Sequence, residues 1–254
     1  VKTNNKYEYV LPNILYGKTF FTEKFGSFDF KSNAVYKNYD TNKHTSILTN
    51  DIIWSPSSYI TKKGFINTLQ GIIKNTNYEA TNTTDYKTKG TVNELASVLS
   101  YRSSLPMRKE RVRGTNIFSP NFMVRYAPFH MKDLSKKDIS LKYANLFSTN
   151  KTSEIEDGLS AILGFDFKIK EKENDKEKLS LSLGQVFNYE KNKDISSKSS
   201  LDQKMSDVVG EINYNFSKIG KVDYKFLLDH NFNDLNYQEV STELNFGKVQ
   251  FNLD

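Results

Sequence analysis

The chain has 254 residues, no cysteine, 37% hydrophobic and 13% aromatic content, and a formal net charge of +6. The missing cysteines exclude a disulfide framework and any thiolate metal site. No window approaches the roughly 18 consecutive apolar residues of a membrane helix, so helical spanning is excluded as well. A mean hydropathy of −0.62 would ordinarily mark a soluble protein. A membrane β-barrel escapes that inference, because half of every strand faces water.

Apolar side chains at alternate positions, broken by polar turns, predict strands near 7–15, 25–37, 44–54, 64–78, 92–103, 117–126, 138–147, 158–170, 177–190, 206–217, 220–232, 234–246 and 248–254. Val1 to Tyr9 has no apolar core of a leader peptide, and the last residues still read as strand. The chain is therefore expected to be an internal piece of a longer barrel, all of residues 1–254 in one domain. In the first half, Trp54-Ser-Pro56-Ser-Ser-Tyr59 puts aromatics at a strand end, as in an interfacial girdle. Pro12, Pro106, Pro120 and Pro128 mark strand starts, bulges or weak pairing. Asn75 to Gly90 is the most loop-like stretch and is expected to face outward.

The strongest charged feature runs from Arg102 through Arg108, Lys109 and Arg111 to Arg113. Arginine forks suit phosphate and carboxylate better than lysine does. The run reads as a basic loop joining two strands or as a lumen contact for an anionic glycolipid. The other basic residues sit mostly in turns among Asp and Glu, so nucleic-acid binding is not expected.

From 139 onward the alternation is most regular. Ile139, Leu141 and Tyr143 share one parity, as do Leu159 to Ile169 and Leu179 to Tyr189. The opposite face of 158–170 carries Ser160, Gly164, Asp166, Lys168 and Lys170, and that of 220–232 carries Asp223, Lys225, Asp229 and Asn231. The connections Ser217–Gly220 and Asn233-Asp234 read as tight, and 191–204 as long. His44, His130 and His230 stand at no metal-ligand spacing, and His230 beside Asp229 on a strand would point the other way. No Ser-His constellation, paired-carboxylate geometry or phosphate-binding glycine loop is evident. Neither an enzyme nor a cofactor is expected. The fold expected is an all-β, antiparallel up-and-down transmembrane β-barrel, partial, with about twelve or thirteen strands of a larger barrel. A general outer-membrane porin or receptor barrel is an alternative, and so is a soluble sandwich, although strands past ten residues are long for one.

Two stretches resemble a known family. Leu11-Pro12-Asn13-Ile14-Leu15-Tyr16 is similar to an "LP-x-I-x-Y" strand. Leu105-Pro106, then Phe118-Ser119-Pro120 through Arg125-Tyr126-Ala127-Pro128 and Asp133-Leu134-Ser135, is similar to an "SP-x-x-x-x-RYAP" hairpin. Both belong to the LPS-assembly protein LptD (organic solvent tolerance protein) family. The resemblance implies a barrel segment of the lipopolysaccharide translocon in the Gram-negative outer membrane, without bond chemistry. It implies a periplasmic domain before this segment and closing strands after it. It implies as partners lipopolysaccharide, an LptE-like lipoprotein plug, periplasmic bridge proteins and outer-membrane lipid. Arg102, Arg108, Arg111, Arg113 and Arg125 are the candidate glycolipid or lumen contacts.

Overall fold

A computed structural model describes residues 8–39, 43–82, 90–128, 133–136, 139–152, 154–172, 175–217, 219–246 and 249–253. Fourteen strands form one antiparallel sheet. They are β1 (Glu8–Thr22), β2 (Gly26–Tyr39), β3 (Lys43–Ser55), β4 (Tyr59–Ile60), β5 (Ile66–Thr81), β6 (Val92–Ser104), β7 (Met107–Arg111), β8 (Gly114–Ala127), β9 (Gly158–Glu171), β10 (Glu177–Asn188), β11 (Val208–Ser217), β12 (Gly220–Leu228), β13 (Leu235–Phe246) and β14 (Val249–Leu253). The order is sequential along twelve of them, with β4 and β7 off the path. The sheet is an up-and-down meander, and it does not close: β1 and β14 end the path unpaired with each other among the described residues.

The two off-path strands share one cause. β3 runs along β5 as far as Trp54 opposite Gly71, and β4 resumes beside the same strand beyond Pro56. β6 runs along β8 as far as Ser104 opposite Asn121, and β7 resumes beyond Pro106. Proline cannot donate to a ladder, so each long edge breaks there and picks up again. Pro120 sits opposite the second break, where its carbonyl accepts from the Leu105 N–H at 3.1 Å. Near Pro12 the β1–β2 register shifts between Val10 and Asn13.

The predicted strand at 138–147 is absent. Its place is taken by irregular chain and one helical turn, α1 (Tyr143–Leu146). Alternation there serves a different burial: Ile139, Leu141 and Leu146 pack in the main apolar cluster with Met123, Ile162, Val186 and Val209 of the sheet. The predicted strand at 220–232 stops at Leu228, so Asp229 and Asn231 lie in a connection rather than on a strand face. The Asn233-Asp234 connection accordingly spans 229–234 and is not a two-residue turn. The remaining predicted strands are present. Of the loop expected to face outward, Asn75 to Thr81 continue β5 instead, paired to the neighbouring strands, and residues 83–89 lie outside the described set, as does His130.

The register sorts the side chains onto two faces. Phe122, Leu163 and Gln185 share a row, as do Tyr126 with Leu159 and Phe118 with Phe167. On this face Leu48, Ile52, Ile73, Leu95, Leu99, Phe122, Tyr126, Leu159 and Leu163 are all exposed. On the opposite face Asn121, Met123 and Arg125 pair with Gly164, Ile162 and Ser160 and are covered by the 128–157 and 189–207 connections. Soluble monomers rarely leave so wide an apolar face bare. It is what lipid requires of a barrel wall. No described helix is long and apolar enough to cross a membrane, which says nothing about crossing by strands.

Candidate functional site

The inner face is built in two zones. Towards the long connections it is apolar and covered; towards the short turns 23–25, 172–176 and 218–219 it is polar. The covering begins with two facing glycines. Gly164 and Gly184 are ladder partners, and a Cβ on Gly184 would lie 2.3 Å from Leu146 Cδ2, while one on Gly164 would lie 3.0 Å from Phe147 Cζ. Without side chains, these two positions form the socket that receives the α1 turn. Tyr143 and Phe147 meet edge to face, with ring centroids 6.1 Å apart.

The two long connections also hold each other. Leu134 N–H donates to the Asp194 carbonyl at 2.7 Å, and Asn192 Nδ2 donates to Asp157 Oδ1 at 2.5 Å. Ser100 on β6 and Thr149 in the loop share a hydroxyl hydrogen bond of 2.6 Å. Ile155 packs with Val98 and Ala127, fixing the loop over β6 and β8.

The five candidate arginines are not one cluster. Arg125 is 2% exposed. Its Nε donates to the Thr149 carbonyl at 2.7 Å, an Nη2 hydrogen bond reaches the Glu156 carbonyl, and the Glu156 carboxylate lies 3.9 Å away. It therefore fastens the 128–157 connection to the wall. Arg102 is half-buried on the inner face. Its Nη2 donates to Asn121 Oδ1 at 2.9 Å, and its guanidinium lies 4.8 Å from the Phe147 ring centroid. Arg108 is exposed near the short-turn end and donates to Glu110 Oε1 at 2.6 Å. Arg111 and Arg113 are exposed at the tip of the same β7–β8 hairpin. Only Arg102 and Arg125 stand beside the covering loops.

Around Arg102 lies the polar centre of the face. Asp166 accepts from Asn121 Nδ2 at 2.9 Å and from Ser182 Oγ at 2.7 Å. Burial beside Asp166 pushes the Tyr143 hydroxyl well above its ordinary range. A cavity of about 480 Å³ opens here, lined by Gln70, Ser100, Arg102, Phe147 and Thr149 among others. A second, of about 500 Å³, lies over Arg125, Lys151, Glu156 and the 189–203 segment. Burial lowers the Lys151 ammonium to about 8, against the opposing pull of Glu156, and Arg125 adds to the lowering. Sequence alone gave Phe147 and Thr149 no role, and it gave Tyr143 a strand position in place of the covering role that it has with Phe147, Thr149 and Glu156. The paired inner-face glycines were its one visible trace, legible only once strand register is known.

Among the described residues the arrangement offers an apolar outer wall, an inner face that is polar where uncovered, and a plug of the chain's own loops. A family model described as LptD, LPS transport system D, matches residues 3–254. No curated protein matches the chain.

Proposed function

The chain belongs to the LptD family, LPS transport system D, and on that premise we propose that its sheet is part of the wall of an outer-membrane barrel that inserts lipopolysaccharide into the outer leaflet. One observation carries the reading beyond the family match: a broad, mostly apolar exposed face backed by an inner face that is apolar only where the chain's own loops cover it and polar elsewhere. Such a wall lets phosphorylated sugar head groups pass on the wet side while acyl chains stay in lipid. The arginine fork of Arg102, stacked on Phe147 and open to the inner cavity, is the group best placed to meet a head-group phosphate. Arg108, Arg111 and Arg113 stand at the short-turn end, which in outer-membrane barrels faces the periplasm. There they would meet glycolipid arriving from periplasmic bridge proteins. An LptE-like lipoprotein would fill lumen space that the chain's own loops leave free. Arg125 serves the reading as a lumen contact by holding a loop.

The test is depletion of the full-length protein in cells, with surface lipopolysaccharide and small-solute uptake measured together. Loss of surface lipopolysaccharide is expected. Normal surface lipopolysaccharide with reduced solute uptake would replace the translocon by the porin reading.

A further inference from the structure

We propose a divalent transition-metal site at Asp207, Asp229 and His230, which staples the 189–207 connection to the 229–234 connection. One potential ligand atom from each residue lies within 4.8 Å of the others. The site exists because β12 stops at Leu228. Asp229 and His230 then leave the strand geometry, and His230 Nδ1 comes to 3.1 Å from Asp229 Oδ1. Donors held about 2.0–2.1 Å from a tetrahedral zinc ion are themselves about 3.3 Å apart. That edge is already present between the imidazole and the carboxylate.

A second, independent observation asks for a cation. Val208 and Leu228 form the last rung of the β11–β12 ladder, so Asp207 and Asp229 face each other one position beyond it. Like charges directly opposite are destabilising. Asp207 is only 6% exposed, and the hydrogen bond found at its carboxylate is neutral, from Asn236 Nδ2 to Oδ2 at 2.9 Å. No basic side chain among the described residues makes an ion pair with it. A buried carboxylate in this state is costly unless a positive charge compensates it.

The supporting contacts have the form of an outer coordination shell. Asn236 orients Asp207. The Asn231 backbone N–H holds Asp229 Oδ2 at 2.9 Å, leaving Oδ1 towards His230. The turn itself is closed by Asp229 N–H to the Asp234 carbonyl and Phe232 N–H to the Asp229 carbonyl, both 2.8 Å. Ligands fixed this way bind metal more tightly than free side chains do. One imidazole with two carboxylates suits zinc or manganese better than the all-oxygen preference of calcium and magnesium. Three protein ligands leave a coordination position open to water. Since Ile195 and Leu201 of the same connection pack on the inner wall, the ion would hold that loop in place.

The experiment is equilibrium dialysis of the full-length protein in detergent against zinc chloride, with metal read by mass spectrometry. Magnesium and calcium chloride serve as controls. One zinc per chain is expected, lost in Asp207→Asn and in His230→Ala, and kept in His44→Ala. Limited proteolysis should cut the 189–207 connection more slowly with zinc than without. His230 is partly exposed, so His230→Ala keeps the test valid if Asp207→Asn fails to fold. Zinc binding unchanged in His230→Ala, or no zinc retained by the unmodified protein, overturns the proposal.

Discussion

Arg125 shows how much a single side chain does on the inner wall. With two loop carbonyls and the 4%-exposed Glu156 as its partners, its removal would leave both carbonyls unpaired and take one of two cations from the buried Glu156 carboxylate. Arg125→Ala is expected to cost about 3–5 kcal/mol. The 128–157 connection should become protease-sensitive while strand content by circular dichroism stays unchanged. Arg125→Lys should recover little, because one ammonium cannot span both carbonyls as the guanidinium does. Lys151 makes a pH-dependent contribution beside it. Its ammonium titrates at about 8 in the folded chain against an ordinary 10.5, so between these values the unfolded state binds more protons. Stability therefore rises with pH from about 8 to 10.5 and is flat below 8, where both states are charged. Lys151→Met should abolish that rise in a thermal-unfolding series from pH 7 to 10, and Met should be the more stable at pH 7. The residue identities were all in the sequence. That Arg125 and Glu156 meet was not, since the chain between them first has to fold back over the sheet.

At the scale of the element, the two faces of β9 make opposite demands. Leu163 stands on the bare face at 49% exposure, while Ile162 beside it is fully buried under the loops. In lipid, Leu163→Arg is expected to cost about 2–4 kcal/mol. The cost should show as a loss of heat-modifiable, folded protein on refolding into vesicles. Exchanging Lys168 for Gln on the inner face should leave that fraction unchanged, although it removes the 2.8 Å pair with Glu177. An equal effect of the two substitutions would count against a membrane wall. Strand alternation was legible here because lipid and loop impose the same period of two on neighbouring positions. The same signal misled at 138–147. Ile139, Leu141 and Leu146 are apolar because they pack in the cluster with Met123, Ile162, Val186 and Val209, Leu146 lying over Gly184, and a loop docked on a sheet can imitate a strand. It misled again at 229–232, where polar residues continue the alternation past the point at which pairing with β11 ends.

Across the whole molecule, the two longest connections lie at the same end of the sheet. Short ones close the hairpins at 23–25, 172–176 and 218–219, and the long ones at 128–157 and 189–207 share the other end. The antiparallel meander forces this: once one long loop is placed, every second connection must lie with it. The long loops cross-link to each other through Leu134 and Asp194 and cover one face, which makes that face the inner one. Sequence by itself determined the all-β class, twelve of the fourteen strands, the apolar parity of β9 to β12 and, through two proline-bearing motifs, the family. These follow from local rules, since alternation and turn residues act within a few positions of each other. Tertiary structure alone decided that two loops fold back as a plug. It also decided which arginine holds a loop and which reaches a cavity, and that Asp207 meets Asp229 and His230. Those outcomes depend on register and on packing between segments tens of residues apart, where no periodicity along the chain carries information.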